Sequence, residues 1–211
     1  MKNVVVLVSG NGSNLQAIID RCHQKDGINI AAVIANKEDA YGLTRAKSAG
    51  IDAVVVPSKG ITDRSEYDDK LMTAIDGYQP DLIVLAGFMR ILTPAFVQHY
   101  HAKMINIHPS LLPKYTGLNT HQRAIDAGDK VHGTSVHFVT EELDGGPVIL
   151  QAEVPIFEQD NADTVFERVQ EQEHRIYPLV IEWFCEGRLT MNDGQALMDG
   201  LMLGDAGYAT E

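Results

Sequence analysis

Five short apolar runs set the rhythm of this chain: "VVVLVSG" at 4–10, "INIAAVIAN" at 28–36, "DAVVVP" at 52–57, "DLIVLAG" at 81–87 and "KMINIHP" at 103–109. Each is continuous rather than alternating, as in strands buried on both faces. Helical patterns fill the gaps. Leu15, Ile18, Ile19 and Cys22 share one helix face, and "AYGLTRAKSAG" reads as a helix ending at Gly50. "SEYDDKLMTAIDGY" puts Tyr67, Leu71 and Ile75 on one face, and "TPAFVQHYH" is a short helix with Pro94 suited to its first turn. Strands alternating with helices at this pace predict an α/β fold, Rossmann-like, with a mainly parallel sheet and helices on both faces.

The pattern changes after residue 110. "LLPKYTGLNT" is irregular and "HQRAIDAGD" is helical, while "HGTSVHFV" and "PVILQAEVPI" read as an antiparallel strand pair joined by "TEELDGG". "ADTVFERVQEQEHRIY" is a helix that Pro178 interrupts or restarts, and "PLVIEWFCEG" continues to Gly187. The tail from Arg188 is weakly patterned. With no repeat, low-complexity tract or linker, one domain over residues 1–211 is expected.

A formal net charge of −12 argues against a large nucleic-acid footprint, because wrapping phosphates needs a basic surface. A phosphate-bearing substrate would have to be held by backbone N–H groups and a few placed side chains. No apolar run reaches a membrane span, and "MKNVVVLVSG" lacks the features of a secretion signal. Cys22 and Cys185 sit in helical segments without metal spacing, so a reduced, cytoplasmic protein without a membrane partner is expected.

Two stretches carry chemistry. In "SGNGSNL" (9–15), Gly10 and Gly12 permit a tight turn, Ser13 or Asn14 is placed to cap the following helix, and the helix start offers free N–H groups to an anion. It is not the dinucleotide fingerprint: the third glycine position is Leu15, and the second strand ends in Asn36 rather than an acid. In "MINIHPSLLP" (104–113), Asn106 and His108 share one face of a strand and Ile105 and Ile107 the other. Pro109 then ends the strand, placing both polar groups at the carboxyl end where open α/β sheets bind ligands. Asp144, in "EELDGG", gains meaning only if the hairpin returns it to His108.

Together, "SGNGSNLQAI", "AGFMRIL", "NIHPSLLPKY", "HGTSVHFV" and "LDGGPVILQ" resemble the folate-dependent glycinamide ribonucleotide formyltransferases of purine biosynthesis, over about residues 3 to 190. Thr116 departs from the pattern, which has Pro before the Gly. The resemblance implies transfer of the formyl group of 10-formyltetrahydrofolate to the amine of N1-(5-phosphoribosyl)glycinamide in de novo purine (IMP) biosynthesis. It implies a nucleotide-binding half at about 1–100, a folate-binding and catalytic half at about 101–190, and the tail at 188–211. Gly12, Ser13, Asn14, Gln170 and Glu173 would hold the ribonucleotide. Arg64, Met89, Arg90, Ile91, Leu92, Asn106 and the loop Thr140, Glu141, Glu142, Leu143, Asp144 would line the folate site. Asn106, His108 and Asp144 would be the catalytic trio.

These residue types suit the reaction. Asn106 donates an amide N–H to an oxygen that gains charge, a protonated His108 donates a charge-assisted bond and then a proton, and Asp144 keeps the imidazole charged and accepts the ammonium proton. No metal is expected: His99 and His101 lack a third ligand and read as surface residues. The partners expected are the two small molecules, with no nucleic acid, and the chain as monomer or homodimer. A formyltetrahydrofolate hydrolase would need an added amino-terminal domain, and an initiator-tRNA formyltransferase an added carboxyl-terminal domain and a basic surface. A non-enzymatic nucleotide-binding module leaves Asn106, His108 and "LDGG" unused.

Overall fold

Successive side chains of each apolar run face opposite sides of one sheet, so a run apolar at every position must be covered twice. In the computed structural model, which describes residues 1–208, that is the arrangement; the last three residues of the weakly patterned tail lie outside the described residues. The sheet has seven strands: β1 (Lys2–Val8), β2 (Ile28–Ala35), β3 (Asp52–Val55), β4 (Leu82–Leu85), β5 (Met104–His108), β6 (Val131–Phe138) and β7 (Val148–Pro155). Their order is β3-β2-β1-β4-β5-β6-β7, parallel through β5 and antiparallel for β6 and β7, as the fold class anticipates.

Val4, Val6 and Val8 of β1 enter one core with α1 (Ser13–Cys22) and α2 (Tyr41–Ser48), and further along the sheet the same core takes in the last long helix. Val5 and Leu7 enter a second core under α3 (Arg64–Asp76) and α4 (Pro94–His99). A short α5 (Thr120–Asp126) precedes β6, and α6 (Ala162–Cys185) lies along the first face. The sheet reverses its winding between β1 and β4, the switch point outside whose carboxyl strand ends sheets of this kind form a ligand cleft. Ser9 bridges that point, donating to Asn36 Oδ1 at 2.6 Å and accepting from the Met89 N–H at 2.8 Å.

The expected break at Pro178 does not occur: α6 runs unbroken for 24 residues. Proline there removes one hydrogen bond, to the His174 carbonyl, at a cost of about 3 kcal/mol. Burial offsets it, since Ile176, Tyr177, Pro178, Val180 and Ile181 all pack inward on the sheet. At this point the Tyr177 hydroxyl donates to the Leu85 and Ile105 carbonyls at 2.6 and 3.2 Å, tying α6 to β4 and β5 just below the cleft. Tyr177→Phe leaves those buried acceptors without that donor, so urea unfolding should show a loss of about 1–3 kcal/mol. A loss below about 0.5 kcal/mol would mean the bonds contribute nothing net.

The tail is not patternless. Leu189–Asn192 (β8), Gln195–Met198 (β9) and Leu201–Met202 (β10) form an antiparallel meander. Two-residue turns join them, Asp193–Gly194 (φ 49° and 72°) and Asp199–Gly200 (φ 52° and 80°). Asp-Gly between alternating apolar residues is a strong hairpin signal. Leu189, Met191, Ala196 and Met198 alternate inward to the core that Trp183 and α6 complete.

Candidate active site

The turn between β1 and α1 is built by close backbone approach. Gly12 is the N-cap of α1 with φ 76°, and no side chain among the described residues caps the helix. Contrary to the sequence reading, neither Ser13 nor Asn14 caps the helix; they are its first residues, and no side chain occupies the leading N–H groups. Both side chains turn to α6: Gln170 Nε2 donates to Ser13 Oγ at 2.9 Å, and Asn14 Nδ2 donates to Glu173 Oε2 at 3.0 Å. Burial holds the Glu173 carboxyl above its ordinary range, against the opposing bonds from Asn14 and Thr134. Gly12 is required twice over. Its φ is left-handed, and a Cβ there would lie 2.9 Å from the Gly42 Cα, so both the turn and the packing of α2 demand the glycine. Asn14 Oδ1 and, one turn beyond Gln170, His174 Nε2 are buried without a hydrogen-bond partner among the described residues. Unpaired buried polar atoms at a helix start suit a polar ligand.

The surface carrying Met89, Ile91 and Leu143 is apolar and open. Met89, Ile91 and Leu143 are 64%, 50% and 57% exposed, unusual for such side chains in one region. Leu92 and Val139 both pack on the second core. The Arg90 guanidinium stacks 3.9 Å over the Tyr67 ring, and its Nε is buried and unpaired among the described residues. Arg64 opens α3 one turn before Tyr67, exposed on the same rim. Thr140, Glu141 and Glu142 lie on the hairpin loop, where Glu141 accepts from Gln98 at 2.6 Å. Exposed apolar surface beside unpaired guanidinium suits a flat heterocycle with an acidic tail.

Between the two lies the trio. Asn106 and His108 do share a face of β5, and the antiparallel register sets them opposite His137 and Ser135 of β6. The hairpin returns Asp144 to His108, with Nδ1 to Oδ2 at 3.6 Å and both side chains 9% exposed. That is an ion-pair distance, too long for a direct hydrogen bond. Asp144 sits at φ 52°, a left-handed position that aspartate tolerates better than most residues. Of the two glycines after it, Gly146 is a steric necessity: a Cβ there would lie 1.7 Å from the Phe138 carbonyl oxygen.

Three partners had no signal in the sequence. His108 Nε2 lies 2.7 Å from the Tyr115 carbonyl oxygen, which only accepts. Nε2 therefore carries a proton in either charge state, and Nδ1, facing Asp144, is the nitrogen that gains and loses one. The Gly117 N–H donates to Asp144 Oδ2 at 3.0 Å, so one irregular loop holds both groups. His137 is the third. Its Nδ1 lies 2.9 Å from the Phe138 carbonyl oxygen and so carries the proton, leaving Nε2 to accept from Asn106 Nδ2 at 3.4 Å. Burial lowers the His137 pKa and keeps the ring neutral. The Asn106 amide is thereby turned with its second N–H free. The loop itself is anchored by Ser135 Oγ on the Ser110 carbonyl (2.6 Å) and Gln151 Nε2 on the Leu112 carbonyl (2.9 Å).

Behind the loop, His121 Nδ1 and His132 Nε2 meet at 3.1 Å and share one proton. His132 is 1% exposed, and burial pushes its pKa down to about 4, helped by His121, His108 and Lys114 and opposed by Asp129. Burial also lowers His121. A depressed histidine pKa stabilises the fold fully above about 6.5, and the contribution is lost as pH falls towards 4. Chemical denaturation at pH 7 and pH 4.5 should show a loss of a few kcal/mol that His132→Gln largely removes. Equal pH slopes in the two proteins would refute the assignment.

With this geometry in place, the comparisons give the relationship. The formyl transferase family matches residues 2–181. The chain is 58% identical over 210 residues, 99% of each chain, to the phosphoribosylglycinamide formyltransferase of Escherichia coli (strain K12). It is 56% identical over 212 residues, 100% of each, to that of Haemophilus influenzae. The structure of the phosphoribosylglycinamide formyltransferase of Coxiella burnetii superposes with a TM-score of 0.94 at 52% identity, covering 100% of this chain and 99% of that one. A glycine turn, an apolar rim and a polar trio at the strand ends thus accompany a shared ancestry: this chain belongs to the formyl transferase family, among the phosphoribosylglycinamide formyltransferases.

Proposed function

We infer that this chain transfers the formyl group of 10-formyltetrahydrofolate to the amine of N1-(5-phosphoribosyl)glycinamide, giving the N-formyl product and tetrahydrofolate in de novo purine (IMP) biosynthesis. The observation that carries the reading is the meeting of Asn106, His108 and Asp144 beside the α1 turn. The folate supplies an electrophilic formyl carbon. The ribonucleotide, held through the α1 N–H groups with Ser13, Asn14, Gln170 and Glu173, presents its amine. As the new C–N bond forms, the free N–H of Asn106 and the Nδ1–H of protonated His108 stabilise the charge gathering on the formyl oxygen. Asp144 accepts the proton that the amine loses, directly or through water. His108 returns one to the folate nitrogen as its bond to carbon breaks. Burial makes each interaction stronger than it would be in water.

Residues 1–211 act as one domain on this reading, with the ribonucleotide taken at the β1–α1 end and the folate between the 89–92 and 140–144 segments. The chain works in the cytoplasm on two small molecules, as monomer or homodimer. No helix among the described residues is long and apolar enough to cross a membrane. The test is to supply the formyl donor with and without the ribonucleotide and follow tetrahydrofolate. Release only with the amine present is expected. Equal release without it identifies a hydrolase and overturns the reading.

A further inference from the structure

The loop that holds the catalytic pair is itself held from outside. Between Lys114 and Thr120 the backbone takes a left-handed conformation three times, at Tyr115 (φ 53°), Gly117 (φ 80°) and Asn119 (φ 57°). A segment so bent persists only where its surroundings fix it. Its own first half is fixed by Ser110, Ser135 and Gln151, but those bonds stop at Lys114. Beyond that point the backbone carbonyls of Thr116 and Leu118 accept from one group, Arg123 Nη1 on α5, at 2.6 and 3.2 Å. The same guanidinium lies 5.2 Å from the centre of the Tyr115 ring, whose hydroxyl is in turn anchored to Asp129 at 2.6 Å. Among the described residues Arg123 has no carboxylate partner, and its two hydrogen bonds, both from Nη1, go to the loop.

We propose that Arg123 is a positioning residue for formyl transfer, acting through residues 115–118 on His108 and Asp144. The Tyr115 carbonyl sets the imidazole through Nε2, and the Gly117 N–H sets the carboxylate. Arg123 bonds the carbonyl between these two residues and the one just after them. A planar guanidinium reaches two carbonyls and an aromatic face together, which a point-charge ammonium does less well. Thr116 makes the tie necessary, because a threonine leaves the backbone freer at the place where the family pattern has proline. The proposal rests on the catalytic reading of His108 and Asp144.

Arg123→Met keeps the aliphatic stem and removes every donor. Its kcat should fall about tenfold, the scale of a small misplacement of reacting groups, with the ribonucleotide KM within about twofold of the parent. Arg123→Lys should fall between the two. Hydrogen exchange followed by NMR should be faster at the Gly117 amide in Arg123→Met and unchanged at Val136 in β6. Unchanged kcat overturns the proposal, and so does a lower kcat with Gly117 exchange unaltered or with Val136 equally affected. A parallel His108→Ala separates the premises: if that variant keeps full turnover, the catalytic reading falls, while Gly117 exchange still reports whether Arg123 holds the loop.

Discussion

His108→Ala is expected to lower turnover by about 10²–10⁴, the range for loss of a positioned general acid, without unfolding the protein. His108 is buried, but the space its ring leaves faces the strand ends and fills with water. Strand β5 keeps its ladder to β4 and β6, since the pairing is made by backbone. What goes is the donor at Nδ1 and the fixed tautomer that the Tyr115 carbonyl imposes. Affinity for the ribonucleotide should be close to parental, because its proposed ligands lie on α1 and α6. Circular dichroism and single-turnover transfer with saturating substrates decide the matter. Transfer within tenfold of the parent would remove His108 from the mechanism.

Asp144→Asn should cost about 10² in kcat with KM values near parental. Asparagine is a fair isostere here for a specific reason. It tolerates the left-handed φ of 52° as well as aspartate does, and its carbonyl oxygen still accepts from the Gly117 N–H. The loop should therefore stay in place, and the loss reports the charge. Two functions disappear together: the carboxylate charge 3.6 Å from the imidazole, and the acceptor for the amine proton. Steady-state kcat and KM for both substrates are the measurement. A kcat within threefold of the parent would leave Asp144 as a turn residue beside two glycines.

Legibility in the sequence followed the range of the interactions. β1 to β5 were readable because burial on both faces forces a continuous apolar run, a purely local signature. Asn106 and His108 were readable because period two and a following proline are local as well. Asp144 was placed near His108 only through the resemblance, because the distance depends on hairpin length and on the register of β6 against β5. The Tyr115 carbonyl and the Gly117 amide left no trace, since a backbone group has no letter in the sequence. His137 was hidden in the same way: its tie to Asn106 is a cross-strand register fact. Other misreadings were of rules rather than information. "DG" at 193–194 and 199–200 announced the meander, and Pro178 marks a break only when the flanking turns are not buried.

The contact between Gly146 and Phe138 makes the hairpin a spacer of fixed length. Any side chain at 146 would drive β6 and β7 apart by more than an ångström, and Asp144, two residues away, would swing with them. A mutational library over 140–146 should therefore divide sharply. Glu141, Glu142 and Leu143 are exposed and should accept many replacements, shifting substrate preference without loss of chemistry. Insertions, deletions and any change at Gly146 should be eliminated together, because each alters the reach of one carboxylate. This loop can diversify in composition while staying frozen in length, so diversity among active variants should concentrate at the three exposed positions.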